Sequence, residues 1–399
     1  MFHLKISIDD AILETHILTE NVLSPNQQLI EKILKLEAEL KVAKDFAKQN
    51  QQLIENNLQL QAELIVAKEK ELLLEEVILN MESLQVENRK LKAELGEKSK
   101  DLYSQCSDNV ELMEYYTRFT PAAFEAIFSS LLPIKEHNRC ALDLRRQFFV
   151  MLLKLTHNFG FRDLAHRFGI SRHTASRYFL KWVSIVHDRL FSQIVFKPKK
   201  ETLLQTMPMC FRNSEFGETT QIWDCFEIQA ETPHIPTDQA SAFSNYKQRH
   251  TVKILLSVTP QGTIDFVSNG FCGRVSDKEV VIQSGILELV NHLDLILADR
   301  GFPLEETLAA RGARYRVPAF MKDRTQLPGD EAELTKRIAN VRIHVERVIG
   351  ATRERFKILK GIISIKFLSA IDEMHSFVDK IVKVCCILNN LLPSVVPLD

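Results

Sequence analysis

A chain of 399 residues, 45% hydrophobic and 26% charged, holds enough apolar side chain to bury cores in two or three domains. No run approaches ~18 uninterrupted apolar residues, and Met1 to Glu14 lacks a charged-then-apolar leader, so neither membrane spanning nor secretion is expected. The formal net charge of −1 alone argues against a polyanionic partner, yet residues 135–200 carry 14 Lys/Arg and 4 acidic side chains, against 13 and 18 in residues 1–100.

Residues 1–25 read as a tail. The segment 26–100 is rich in Leu, Glu, Lys, Ala and Gln, lacks proline and, before Gly96, lacks glycine. Apolar residues recur at steps of four and three through Leu29, Ile33, Leu36, Leu40 and Ala43, and again through Val77, Met81, Leu84, Leu91 and Leu95. This is a coiled-coil seam, and Asn88 within it favours a parallel pair of chains, so a homodimer is expected. Asn26–Glu31 returns as Asn50–Glu55, a shift of 24 residues that breaks the heptad register between the two zipper segments.

Residues 112–196 read as an all-α domain. Thr120 and Pro121 mark a helix start. Further on, Phe161–Phe168, Gly169-Ile170 and Ser171–Trp182 have the spacing of a helix-turn-helix: Ala165 permits a close crossing, Gly169 turns the chain, Ile170 plugs the core and Ser171 caps the second helix. With Ala175, Tyr178, Phe179 and Trp182 inward, the outer face carries Arg172, His173, Ser176 and Arg177, with Lys181 one turn on, as DNA-binding candidates.

A basic linker, 197–217, precedes a change of pattern. Short β-branched runs at 220–228, 250–258, 263–268, 293–298 and 314–317 alternate, in the later part, with helical patterns at 277–290 and 304–310, and a long helix closes the series at 330–356. Thr259–Gly262 is a hairpin turn, which makes the first three strands an antiparallel meander. The domain 218–365 is thus mixed α/β, and 366–399 supplies a C-terminal helix and tail.

Three carboxylates stand out there. Asp224 lies inside a strand, where an acid is costly unless it meets a cation; Asp299 ends a strand; Glu346 sits on the closing helix. Two strand-borne Asp residues and one helix-borne Glu can converge on the sheet edge and hold two divalent ions that stabilise both the attacking and the leaving oxygen of a phosphodiester. Hard oxygen ligands without a His/Cys cluster point to Mg²⁺ or Mn²⁺. Around Glu346, residues 336–360 carry 8 Lys/Arg against 2 acids, a helix suited to a DNA backbone. The seven scattered cysteines have no C-x-x-C pair for zinc, and Cys385 and Cys386 read as buried helix residues.

Tyr115–Thr117, the helix-turn-helix, Ile222–Ile228, Ser244–Lys247, Gly273–Lys278, Ala298–Phe302 and Arg342–Arg347 together resemble the DDE superfamily endonucleases of PIF/Harbinger-type transposases, across about 112–392. The resemblance implies an RNase H-like catalytic fold, nuclear action on DNA, and Asp224, Asp299 and Glu346 as the catalytic, metal-binding triad. Asp277 also matches a recurrent family position, and Arg300, Arg342 and Arg347 are secondary candidates. Some relatives carry a zinc-dependent DNA-binding module ahead of this region; here a coiled coil stands in its place, so an accessory DNA-binding protein is a possible partner. The competing expectation is a domesticated, catalytically silent dimeric DNA-binding protein that recruits partners through its coiled coil.

Overall fold

The computed structural model describes residues 26–44, scattered positions from 47 to 85, and 101–134, 140–212, 214–319, 328–368 and 376–397. The chain forms two compact units, Met1–Lys98 and Ser99–Asp399. In the first, residues 26–44 are helical and the seam residues Leu29, Ile33, Leu36 and Leu40 are exposed. Val77, Asn88, Leu91 and Leu95 of the second seam segment lie outside the described residues. Among the described residues no helix is long and apolar enough to cross a membrane.

The second unit opens with helices α1 (Leu102–Cys106), α2 (Val110–Thr117), α3 (Pro121–Ser130), α4 (Leu144–His157), α5 (Phe161–Phe168) and α6 (Arg172–Ile194). Each expected start signal is in use: the Thr120 side chain accepts from the Ala123 N–H, and Ser171 Oγ accepts from the Thr174 N–H at 3.0 Å, a cap that contributes about 1 kcal/mol. Gly169 has φ of 61°, the left-handed turn that separates α5 from α6. α6 buries Ala175, Tyr178, Phe179 and Trp182, the expected inner face, and Phe148 of α4 packs on Trp182 with ring centroids 5.1 Å apart.

After the short helices α7 (Lys200–Gln205) and α8 (Met209–Arg212) comes the sheet: β1 (Thr219–Gln229), helix α9 (Pro236–Ala242), β2 (Phe243–Ser244), β3 (Arg249–Val258), β4 (Ile264–Val267) and β5 (Phe271–Cys272). Then follow α10 (Asp277–Gln283), β6 (Leu295–Ala298), α11 (Glu305–Ala309), β7 (Arg314–Arg316), α12 (Gly329–Arg355) and α13 (Phe377–Asn390). β3 pairs antiparallel with β1 and with β4, as the hairpin signal predicts, while β6 runs parallel to β1 and β7 parallel to β6. The helical pattern expected over 277–290 divides at Gly285, whose φ is 83°, into α10 and a single tighter turn at Ile286–Leu289.

Alternation along the strands splits the core into two layers. Ile222, Phe226 and Ile228 face the side covered by Val341, Val345 and Val348 of α12, in one cluster with α13 and the helical region. Trp223, Leu255, Ile296 and Ala298 face the other side, against Val280 and Val281 of α10 and Leu308 of α11. α13 ties the helical region to the sheet: Lys380 binds Asp188 of α6 at 3.1 Å, and the Asn390 side-chain amide donates to the carbonyls of Ile194 and Ile264. Cys385 and Cys386 are buried in it, and burial pushes the Cys386 thiol far up.

Candidate active site

Register brings two of the acids together. In the parallel pair β1–β6, Trp223 stands opposite Ala298, so the next residue on each strand, Asp224 and Asp299, emerges at the same level. Asp224 shares its side of the sheet with Ile222 and Phe226, and that side is covered by α12. Arg342 and Glu346, one helical turn apart on α12, stand over this end of β1.

The guanidinium of Arg342 touches all three acids: Nη1 lies 3.8 Å from Asp224 Oδ2, Nη2 lies 3.8 Å from Asp299 Oδ1, and Nη2 also pairs with Glu346 Oε1. Nη1 is buried and makes no hydrogen bond among the described residues. Burial pushes the Asp224 carboxyl up to about 7; Arg342 opposes that rise, while Asp299 and Glu346 add to it. Backbone N–H groups hold both strand acids, Cys225 N–H donating to Asp224 and Arg300 N–H to Asp299, each at 2.9 Å.

These residues line a cleft of about 530 Å³. Exposed Tyr246 and Lys247 and half-buried Arg353 also line it. On its far wall a second cluster faces the opposite side of the sheet: Lys253 Nζ donates to Asp277 Oδ1 at 2.9 Å and to the Val275 carbonyl at 2.8 Å, and stands 3.9 Å from Glu227. Asp277 is therefore in the cleft, committed to a lysine. Arg300 is exposed at the lip, outside the cleft lining. Arg347 is exposed on another flank of α12, where burial first and its charge second hold His344 down at about 4.

Among the described residues, no three His, Cys, Asp or Glu side chains are already drawn together as a metal cage. The acids nonetheless suit a hard divalent cation: Asp224 is mostly desolvated and unfavourable as an anion, and Asp299 and Glu346 beside it offer carboxylate oxygen. Arg342 supplies positive charge there at 3.8 Å from both aspartates, long for a hydrogen bond.

The helix-turn-helix face is divided. Arg172, His173 and Ser176 look into a groove of about 760 Å³ that Lys154 of α4 and Ile362 and Lys366 also line. Arg177 is exposed and outside that lining, and half-buried Lys181 turns toward Gln147 of α4 at 3.4 Å. Lys154 and Lys366 were not singled out by sequence, because their proximity to α6 depends on how α4 and the 358–367 segment fold over it.

A helix-turn-helix region joined to a mixed sheet with flanking helices, whose end presents clustered acids, is the architecture at hand. Residues 223–390 match the family model described as DDE superfamily endonuclease, and residues 140–192 match that described as helix-turn-helix of DDE superfamily endonuclease. The chain carries a DDE superfamily endonuclease domain, preceded by the helix-turn-helix domain of that superfamily. No curated protein matches the chain.

Proposed function

We propose that the protein is a transposase-derived, divalent-metal-dependent DNA endonuclease of PIF/Harbinger type, with Asp224, Asp299 and Glu346 as the catalytic metal ligands. The observation that carries this reading is the meeting of these three acids, from β1, the end of β6 and α12, around one cationic group. The strand order, an antiparallel meander followed by two parallel strands, supports an RNase H-like fold for the domain.

Mg²⁺ or Mn²⁺, when bound, would supply charge neutralisation at the phosphodiester and a more acidic water as nucleophile. Asp224 on β1 and Asp299 just past β6, each held by the backbone N–H of the next residue, would serve as ligands, and Glu346 would close the set from the helix. Lys247 and Arg353 in the cleft lining hold the DNA phosphates, and α6 binds DNA through Arg172, His173 and Ser176 in its groove and through exposed Arg177. In a complete transposition the freed 3′-hydroxyl then attacks target DNA.

The reading extends to a nuclear protein that dimerises through the exposed seam of residues 26–44, where apolar side chains at coiled-coil spacing are left in contact with water. An accessory DNA-binding protein is compatible with the divided helix-turn-helix face. One observation favours the alternative, a catalytically silent dimeric DNA-binding protein: Arg342 already sits among the acids.

The test is nicking of supercoiled plasmid by the purified full chain with Mn²⁺, against the Asp299→Asn variant. Metal-dependent nicking that the variant loses supports the endonuclease. DNA binding without nicking by the unaltered chain gives the case to the silent binder.

A further inference from the structure

The cleft has an aromatic side chain that a three-acid reading leaves idle. Tyr246 is 82% exposed, yet it lines the same cleft as Asp224, Asp299 and Glu346. Its turn is firmly built. Ser244 Oγ accepts from the Lys247 N–H at 3.2 Å, the Gln248 N–H donates to the Ser244 carbonyl at 2.8 Å, and Arg249 Nε donates to the Lys247 carbonyl at 3.1 Å. Gly273 backs this turn so closely that a Cβ there would stand 3.2 Å from Ser244 Cβ and 2.7 Å from the Ala242 carbonyl. A large ring is thus presented to solvent by a fixed backbone rather than by a loose loop.

Beside it, Lys247 Nζ lies 4.3 Å from the ring centroid. With the ammonium over one face and the ring otherwise open to solvent, beside an acid-lined cleft, the pair matches one chemistry: a nucleobase on the free face of the ring and a neighbouring phosphate on the ammonium. Bases within a duplex have both faces stacked, so away from a blunt terminus the ring can be used only by a base freed from its neighbours.

We propose that Tyr246, with Lys247, is a positioning residue that stacks an unpaired nucleobase next to the phosphodiester offered to Asp224, Asp299 and Glu346. The inference rests on the endonuclease reading of the cleft and adds that the DNA is locally unpaired there. Substrates with a single-stranded overhang or a frayed end are then preferred over blunt duplex.

The experiment uses the full chain in EDTA, so that nothing is cut, with oligonucleotide duplexes that are blunt or carry a short 3′ or 5′ overhang containing 2-aminopurine. The unaltered chain is expected to bind one overhang duplex more tightly than the blunt one and to quench the probe's fluorescence. Tyr246→Ala should lose the quenching and weaken overhang binding about tenfold, the scale of one base–aromatic stack, while blunt-duplex binding changes less than twofold; Tyr246→Trp should keep both signals. The exposed ring supports no core, so the alanine variant keeps its fold, checked by its unchanged unfolding midpoint. Equal binding and equal quenching by the alanine variant, or no overhang preference in the unaltered chain, overturns the stacking role and leaves the endonuclease reading standing. Failure of the unaltered chain to bind any of these DNAs overturns both.

Discussion

Two clusters of acid around a cation lie within one cleft, on opposite faces of one sheet, and they are built differently. Lys253 is 9% exposed and makes two short hydrogen bonds, to Asp277 and the Val275 carbonyl, both within 2.9 Å. Arg342 is shared among three acids, reaches two of them only at 3.8 Å and leaves Nη1 without a hydrogen bond among the described residues. The first cluster has its counter-ion permanently in place. The second has a charge balance that a better cation can replace, since Asp299 and Glu346 remain open to solvent. The same residue types thus make a structural strut on one face and an exchangeable site on the other. Distance and desolvation decide which is which.

The largest effect that would break this contrast is on activity. Asp224→Asn should cut metal-dependent nicking by at least on the order of 10²-fold, beyond what loss of an outer supporting group costs, whereas Asp277→Asn should stay within about tenfold of the unaltered chain. Initial nicking rates on plasmid decide it, and equal losses would place Asp277 among the metal ligands. Next comes stability. Lys253→Met leaves Glu227 desolvated and Asp277 without its partner, which should cost about 3 kcal/mol, read as a lowered urea midpoint. A stability loss under ~1 kcal/mol would make the cluster worth no more than a surface ion pair.

Much of this was legible in the chain because local signals are strong where they exist. The hairpin turn at Thr259–Gly262, the Gly169 turn, the Ser171 cap and the long closing helix all follow from residues adjacent in sequence. Asp224 was conspicuous as an acid inside an apolar strand, and Asp299 as the residue that ends one. Their convergence was an expectation; the register that produces it, Trp223 opposite Ala298 in a parallel pair, was not legible, since it is set by a crossover of many residues rather than by a turn. Lys253 left a usable signal: a lone lysine in an apolar strand, directly across from Glu227 in the next, asks for a buried pair. The two-residue strands β2 and β5 are too short to show an alternation at all.

The smallest effect sharpens the contrast most. Arg342 contacts acids whose side chains are 21%, 44% and 51% exposed, so its removal in Arg342→Met should cost no more than about 1 kcal/mol of stability without metal, far less than Lys253→Met. The acids then lose their internal counter-ion, and a divalent ion no longer competes with a guanidinium. Millimolar Mn²⁺ should therefore raise the thermal midpoint of Arg342→Met more than that of the unaltered chain, because stabilisation by a ligand grows with its affinity for the folded state. Should the two midpoints rise equally, Arg342 and the metal do not share a place, and its role moves to the DNA phosphate. Should neither rise, the three acids hold no divalent ion, and the exchangeable cluster is a second strut.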